Sequence, residues 1–167
     1  MRFFLGIVTA FVLIIAGVYM FVKGGGFPME TTASPLPLEE TLAGMAIRAS
    51  IGNAGAQTDP NPLNEANLLA GAHVFKENCA FCHTNPSRQQ SAASKGMSPK
   101  PPQLFTPDAK VTDDPEGVIF WVVTHGIRLS GMPGFGATLS DTERWQVTML
   151  LAHADKLPPT VRAALSH

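Results

Sequence analysis

The chain has 167 residues, which is enough for about one domain and a terminal segment. Charged residues make up 15% of it, well below the roughly 25% of ordinary globular proteins. Twelve Lys and Arg against thirteen Asp and Glu leave a formal charge of −1, which argues against a nucleic-acid partner because such proteins carry a basic stripe. The two cysteines are too few for a disulfide scaffold and, three positions apart, predict one shared site.

The shortage of charge is concentrated at the amino terminus. Residues Phe3 to Val22 carry no charge over twenty positions, and a helix of that length is roughly 30 Å long, the thickness of the hydrocarbon core of a bilayer. The sequence therefore predicts a transmembrane anchor over residues 1–23. A cleaved signal peptide is the alternative, since small residues at 24–26 and 31–33 offer cleavage sites.

Residues 24–60 differ in composition and predict a linker rich in Gly and Pro. No strand pattern occurs there, but a short helix from Leu38 to about Ser50 is expected, with Leu38, Leu42 and Met45 on one face. That face is interpreted as a solvated or domain-packed surface, with docking of a partner as the alternative. Residues 61–167 are then the functional domain.

The strongest motif is Cys-Ala-Phe-Cys-His at residues 79–83. Cysteines at i and i+3 share one face of a helical turn, so Cys79 and Cys82 can both reach one edge of a porphyrin, and His83 then lies beneath the ring. This spacing is the signature of covalent haem attachment. A zinc half-site is less favoured because the chain has no second pair of cysteines, and a thioredoxin-like dithiol would require a βαβ pattern.

A haem used for electron transfer needs a second axial ligand on its iron, and a thioether in that position raises the potential. Met132 is the predicted ligand, because Pro133 favours extended backbone before it and neighbouring glycines allow close approach to a ring. Met149 falls on the buried face of a predicted helix, whereas Met97 follows His83 too closely to reach the opposite side easily.

Other residues remain as alternatives for roles at the ring. Four histidines in the domain are possible ligands, of which His125 comes closest, although a helix-capping or surface role is favoured for it. Arg128 is a possible partner of a haem propionate or simply an exposed loop residue.

These residues support a named resemblance, because residues 64–157 resemble a class I c-type cytochrome, the small helical single-haem fold. The resemblance is carried by Gly71 and Phe75 ahead of the first cysteine, by the attachment motif, by the sequence Pro102-Gln103-Leu104, and by the glycine-flanked Met132. It implies that the carbonyl of Pro102 holds the imidazole of His83, that Leu104 packs on the ring, and that Gly71 permits a close crossing of the first and last helices. The sequence departs from the family pattern at two positions, with proline at position 101 and leucine at position 150.

The remaining helices are predicted from their end signals. A middle helix is expected with Asp114 as N-cap, Pro115 in its first turn and Gly126 at its end. A last helix is expected after a capping box formed by Ser140 and Glu143. The predicted fold class is all-α, with three to five helices in the haem domain after one transmembrane helix and a linker.

The function expected from these features is one-electron transfer between redox protein partners, with one covalent haem c and no enzymatic chemistry. Because haem attachment in this family occurs outside the cytoplasm, the resemblance implies an inner-membrane protein with its haem domain in the periplasm, on a respiratory chain. Residues 76–110 carry five basic and two acidic residues, which predicts at most a weak docking patch. A fixed subunit of a larger respiratory or dehydrogenase complex and a haem sensor or peroxidase-type enzyme with an open distal site are the alternatives.

Overall fold

The computed structural model describes residues 2–86, 89–106 and 109–166, and in these ranges every regular element is helical. This confirms the predicted all-α class. The α-helices are α1 (Arg2–Lys23), α2 (Glu39–Ile51), α3 (Glu65–Asn78), α4 (Ala80–His83), α5 (Ala92–Gly96), α6 (Glu116–His125), α7 (Asp141–Ala152) and α8 (Pro159–Ser166). Two 3₁₀ turns cover Gly52–Ala56 and Lys110–Asp113.

The chain divides into two compact units, residues 1–34 and residues 35–167. The first unit contains α1, whose 22 residues make a helix about 33 Å long. All of its described side chains are exposed, and the helix is long and apolar enough to cross a membrane. Length and composition therefore agree with the predicted anchor.

The second unit is organised around the crossing of α3 and α7. Helix α6 packs on α7, and α8 packs on α3. The buried apolar side chains come from all four helices and from the segment between α7 and α8: Leu68, Ala72, Val74, Phe75, Ile119, Val123, Val147, Met149, Leu150, Leu151, Leu157, Val161 and Leu165. These four helices lie within the predicted range of three to five, and α4 and α5 are short turns beside them.

The crossing is close because α3 carries glycine at the contact point. A Cβ placed on Gly71 would clash with the carbonyl oxygen of Gln146 and lie 2.7 Å from its carbon. It would also lie 3.2 Å from the Cβ of Leu150, which is fully buried. The side chain of Leu150 therefore lies directly at the crossing.

We expect Gly71→Ala to destabilise the protein by about 1–3 kcal/mol, since the methyl group has to push α3 and α7 apart. Gly96→Ala is the matched control, because a Cβ on Gly96 meets nothing within 4 Å. Urea unfolding followed by circular dichroism measures both changes. Equal stability of the two variants would contradict the close crossing.

The predicted capping box of α7 and the predicted end of α6 are confirmed. Ser140 accepts a hydrogen bond from the amide of Glu143, and the Glu143 carboxylate accepts one from the amide of Ser140 at 2.8 Å, which completes the capping box. Hydrogen bonds that the hydroxyl and then the amide of Ser140 donate to the Glu143 carboxylate lower the pKa of Glu143. Gly126 ends α6 with a positive φ of 67°.

The predicted start of α6 is wrong by one residue. Pro115 occupies the N-cap position with an extended ψ of 142°, so the helix begins at Glu116 and Asp114 lies before the cap. The physical reason is that residues 54–57 cover this end of the helix. A Cβ on Gly117 would lie 2.5 Å from the carbonyl oxygen of Ala54, and Glu116 accepts a hydrogen bond from the amide of Asp59 at 3.3 Å.

The stretch between anchor and domain is more ordered than its composition suggests. Helix α2 confirms the short helix expected there, and its stripe of Leu38, Leu42 and Met45 is exposed. The 3₁₀ turn Gly52–Ala56 packs on α6, and the second compact unit begins at residue 35 rather than near 61. The division into anchor, linker and haem domain by function stays a prediction.

Candidate haem site

The attachment motif forms a tight turn directly after α3. Cys79 ends α3, and its carbonyl accepts hydrogen bonds from the amides of Cys82 at 3.1 Å and His83 at 3.0 Å. This places both thiols on one turn, half-buried and not joined in a disulfide. Burial, with a smaller effect from Cys82, raises the pKa of Cys79 to about 12.

His83 is buried at 9% exposure, and its Nδ1 lies 2.8 Å from the carbonyl oxygen of Pro102. Burial lowers the pKa of His83, against a smaller opposing effect of that hydrogen bond, and so favours the neutral ring. In the neutral tautomer that donates from Nδ1 to Pro102, Nε2 keeps its lone pair. That is the form in which histidine binds a metal.

Two cavities flank this histidine, and both are lined by His83 and Met132. The smaller one, of about 40 Å³, opens beside the two cysteines and is also lined by Met97 and Phe135. The larger one, of about 290 Å³, reaches between α6 and the Pro102 segment. Its walls are mainly apolar: Leu104, Val111, Val118, Ile119, Val122, Val123, Ile127 and Leu151. Among the described residues, Lys110 and Asp114 are the charged ones that line it.

The loop after α6 brings Met132 to this position through backbone contacts. The carbonyl of Met132 accepts a hydrogen bond from the amide of Ile127 at 3.1 Å, and its own amide donates to the hydroxyl of Ser130 at 3.1 Å. A Cβ on Gly126 would lie 2.6 Å from the Met132 carbonyl oxygen, so only glycine fits at that turn. The structure thus holds the loop closed with Met132 facing both cavities.

The three methionines of the domain occupy different places. Met132 is half-buried and lines both cavities, whereas Met97 is half-buried and lines only the smaller one. Met149 is 2% exposed in the core between the helices, as its position on α7 predicted. Met97 lies nearer to Met132 than its position fourteen residues after His83 predicts, since both methionines line the smaller cavity.

The remaining candidates lie away from the two cavities. His125 is exposed at the end of α6, His73 pairs with Glu77 on the surface at 3.3 Å, and Nδ1 of His153 lies 2.9 Å from the carbonyl of Met149. Arg128 is exposed. His167 lies outside the described residues. Among the residues that the structure describes, no three His, Cys, Asp or Glu side chains gather to hold a bare metal ion.

Sequence reasoning missed the polar contacts that support the attachment turn. The hydroxyl of Ser94 donates to the carbonyl of Cys82 at 2.8 Å, that of Ser91 donates to the carbonyl of Phe81 at 3.0 Å, and that of Thr84 donates to the side-chain carbonyl of Gln103. Ser91 is also the N-cap of α5. The available signal for that cap was the sequence Ser91-Ala92-Ala93-Ser94, in which a serine, a preferred N-cap residue, directly precedes two alanines.

The order of the helices, the attachment turn and the buried histidine define a class I c-type cytochrome domain. The family model described as cytochrome c oxidase, cbb3-type, subunit III matches residues 66–149, half of the chain, and the chain belongs to this family. A domain of this kind implies a c-type haem with its iron and implies electron transfer.

Comparison with solved structures gives a partial match. A chain of the Kuenenia stuttgartiensis reducing HAO-like protein complex is 23% identical to this one, with a TM-score of 0.42. The match covers 71% of this chain and 61% of that chain, so this chain spans less than two thirds of that protein's length. No curated protein matches the sequence.

Proposed function

We propose that the domain holds one haem through thioether bonds to Cys79 and Cys82, with His83 and Met132 as axial ligands, and that it passes single electrons between redox partners. The observation that carries this proposal is that His83 and Met132 are shared by two adjoining cavities. A flat ring that extends through both cavities would therefore lie within reach of both residues. The two thiols lie at one end of that space, where the ring edge would be.

The chemistry of the donor set fits a haem. The two thiols are i and i+3 on one turn, the imidazole is neutral with Nε2 free, and a soft thioether shares its cavities. Bound there, haem iron supplies a one-electron redox couple. The apolar walls from α6 exclude water, and the Pro102 carbonyl fixes the plane and basicity of the His83 ring. A low-dielectric shell of this kind is one of the means by which a protein sets a haem potential.

The partner surface proposed is the exposed rim of the smaller cavity. Phe81, between the two cysteines, is 67% exposed, and Leu129, three residues before Met132, is 92% exposed. Arg128, next to Leu129, is exposed and basic, whereas the exposed charges nearest to Phe81 in the described chain are Lys76 and Glu77. We infer that the redox partner docks here mainly through an apolar contact with Phe81 and Leu129.

We expect the purified protein to titrate as one one-electron couple with one haem per chain, because the site has a single attachment motif. A potentiometric titration with a haem assay measures both quantities. A two-electron slope, or turnover of peroxide by the unmodified protein, would instead favour the peroxidase-type alternative.

We further propose that α1 tethers the domain to the inner membrane with the haem on the periplasmic side. The full-length protein should then sediment with membranes and resist high salt and alkaline extraction. A variant that starts at Pro35 behind a cleavable export signal should be soluble, because the second compact unit begins there. Recovery of the full-length gene product from the soluble periplasm, with an amino terminus near Phe27 or Ser34, would show that the segment is removed.

A second candidate is a fixed cytochrome subunit of a respiratory complex. The description of the matching family, an oxidase subunit, favours it. Purification in mild detergent separates the two: a mobile carrier is recovered alone, whereas a fixed subunit is recovered with stoichiometric partners.

A further inference from the structure

The carbonyl groups at the end of the attachment turn are held by side chains from another segment. Helix α4 has only four residues, so its last carbonyls lack amides of their own helix as partners. The Ser94 hydroxyl donates a hydrogen bond to the carbonyl of Cys82 at 2.8 Å, and the Ser91 hydroxyl donates one to the carbonyl of Phe81 at 3.0 Å. Ser94 is completely buried, so its hydrogen bond to the Cys82 carbonyl lies in the protein interior.

The same segment is itself rigidly built. The hydroxyl of Ser91 accepts a hydrogen bond from the amide of Ser94 at 3.0 Å, so Ser91 both caps α5 and contacts the attachment turn. Ser94 therefore has little freedom relative to Ser91. Lys95, the next residue, is exposed and faces away from these contacts.

The other end of the segment contacts the distal loop. A Cβ on Gly131 would lie 2.9 Å from the Sδ of Met97, so the Met97 thioether packs directly against the residue before Met132. Residues 91–97 thus contact the turn that carries His83 and also the loop that carries Met132. We call residues 91–97 the strap.

We propose that Ser94 and Met97 are positioning residues which, through the strap, hold His83 and Met132 at the separation that keeps both bound to iron. This rests on the proposed function. Without the Ser94 hydroxyl the Cys82 carbonyl loses its partner and the attachment turn shifts. Without the Met97 side chain the Gly131–Met132 backbone can move away from the ring. Either change weakens the thioether ligand without removing it.

The test uses the full-length haem protein and the rate at which its ferrous form binds carbon monoxide, which requires the thioether to leave the iron. Ser94→Ala and Met97→Ala should keep covalent haem but bind carbon monoxide about tenfold faster, the usual scale for losing an outer partner of a metal ligand. Their reduction potentials should also fall. Lys95→Ala should match the wild type in both measurements, and Met97→Leu, which keeps the side-chain volume, should restore slow binding.

The results distinguish the proposed role of the strap from the proposed function on which it rests. Wild-type protein without covalent haem, or one that binds carbon monoxide as fast as an open site, would overturn the proposed function. If the wild type, Ser94→Ala and Met97→Ala all keep covalent haem and all bind carbon monoxide slowly, the proposed role of the strap is overturned and the proposed function is not. If Ser94→Ala does not accumulate, the comparison of Met97→Ala with Met97→Leu decides the question.

Discussion

Met132→Ala is expected to lower the reduction potential of the haem by on the order of 0.1 V, a fraction of the roughly 0.8 V over which axial ligands set haem potentials. A soft thioether stabilises ferrous over ferric iron, so its loss favours the oxidised form. The weak sulfur-to-iron band of the ferric protein should disappear, and carbon monoxide should bind the ferrous form readily. Absorption spectra and a potentiometric titration measure these changes.

The other two methionines provide controls for this result. Met97→Ala and Met149→Ala should both keep the sulfur-to-iron band. Met149 is 2% exposed in the core, so its replacement should instead lower the free energy of unfolding by about 2–5 kcal/mol through a cavity. If the wild type lacks the band and binds carbon monoxide readily, Met132 is not the ligand, and the sensor or enzyme alternative replaces the electron carrier.

Haem should remain with the denatured wild-type chain through acid-acetone extraction, because two thioether bonds join it to Cys79 and Cys82. The double variant Cys79→Ala, Cys82→Ala should release all of its haem under the same treatment. Each single variant should retain haem through the remaining bond. Extraction followed by a haem stain of the denatured protein measures the outcome, and release from correctly matured wild type would contradict covalent attachment.

Several features of the domain could be predicted because they depend on neighbours in the chain. The capping box of Ser140 and Glu143 and the stop at Gly126 are local signals, and both are found in the structure. The start of α6 was misplaced because residues 54–57 cover that end, and these residues lie about sixty positions earlier. A Gly- and Pro-containing stretch indicates loops, but composition does not show that a short turn packs on a distant helix.

The helical class, the apolar segment at the amino terminus and the attachment turn follow from the sequence alone. Each depends on the order of residues within one segment: twenty uncharged positions, a helical period, or two cysteines and a histidine on one turn. The packing of distant segments instead places Met132 and His83 along the same two cavities, with Met97 beside them, and brings the Ser94 hydroxyl to the Cys82 carbonyl. These contacts join residues 12 to 49 positions apart in the chain, and they form only when α3, α6 and α7 have packed, because no local pattern specifies which distant loops meet.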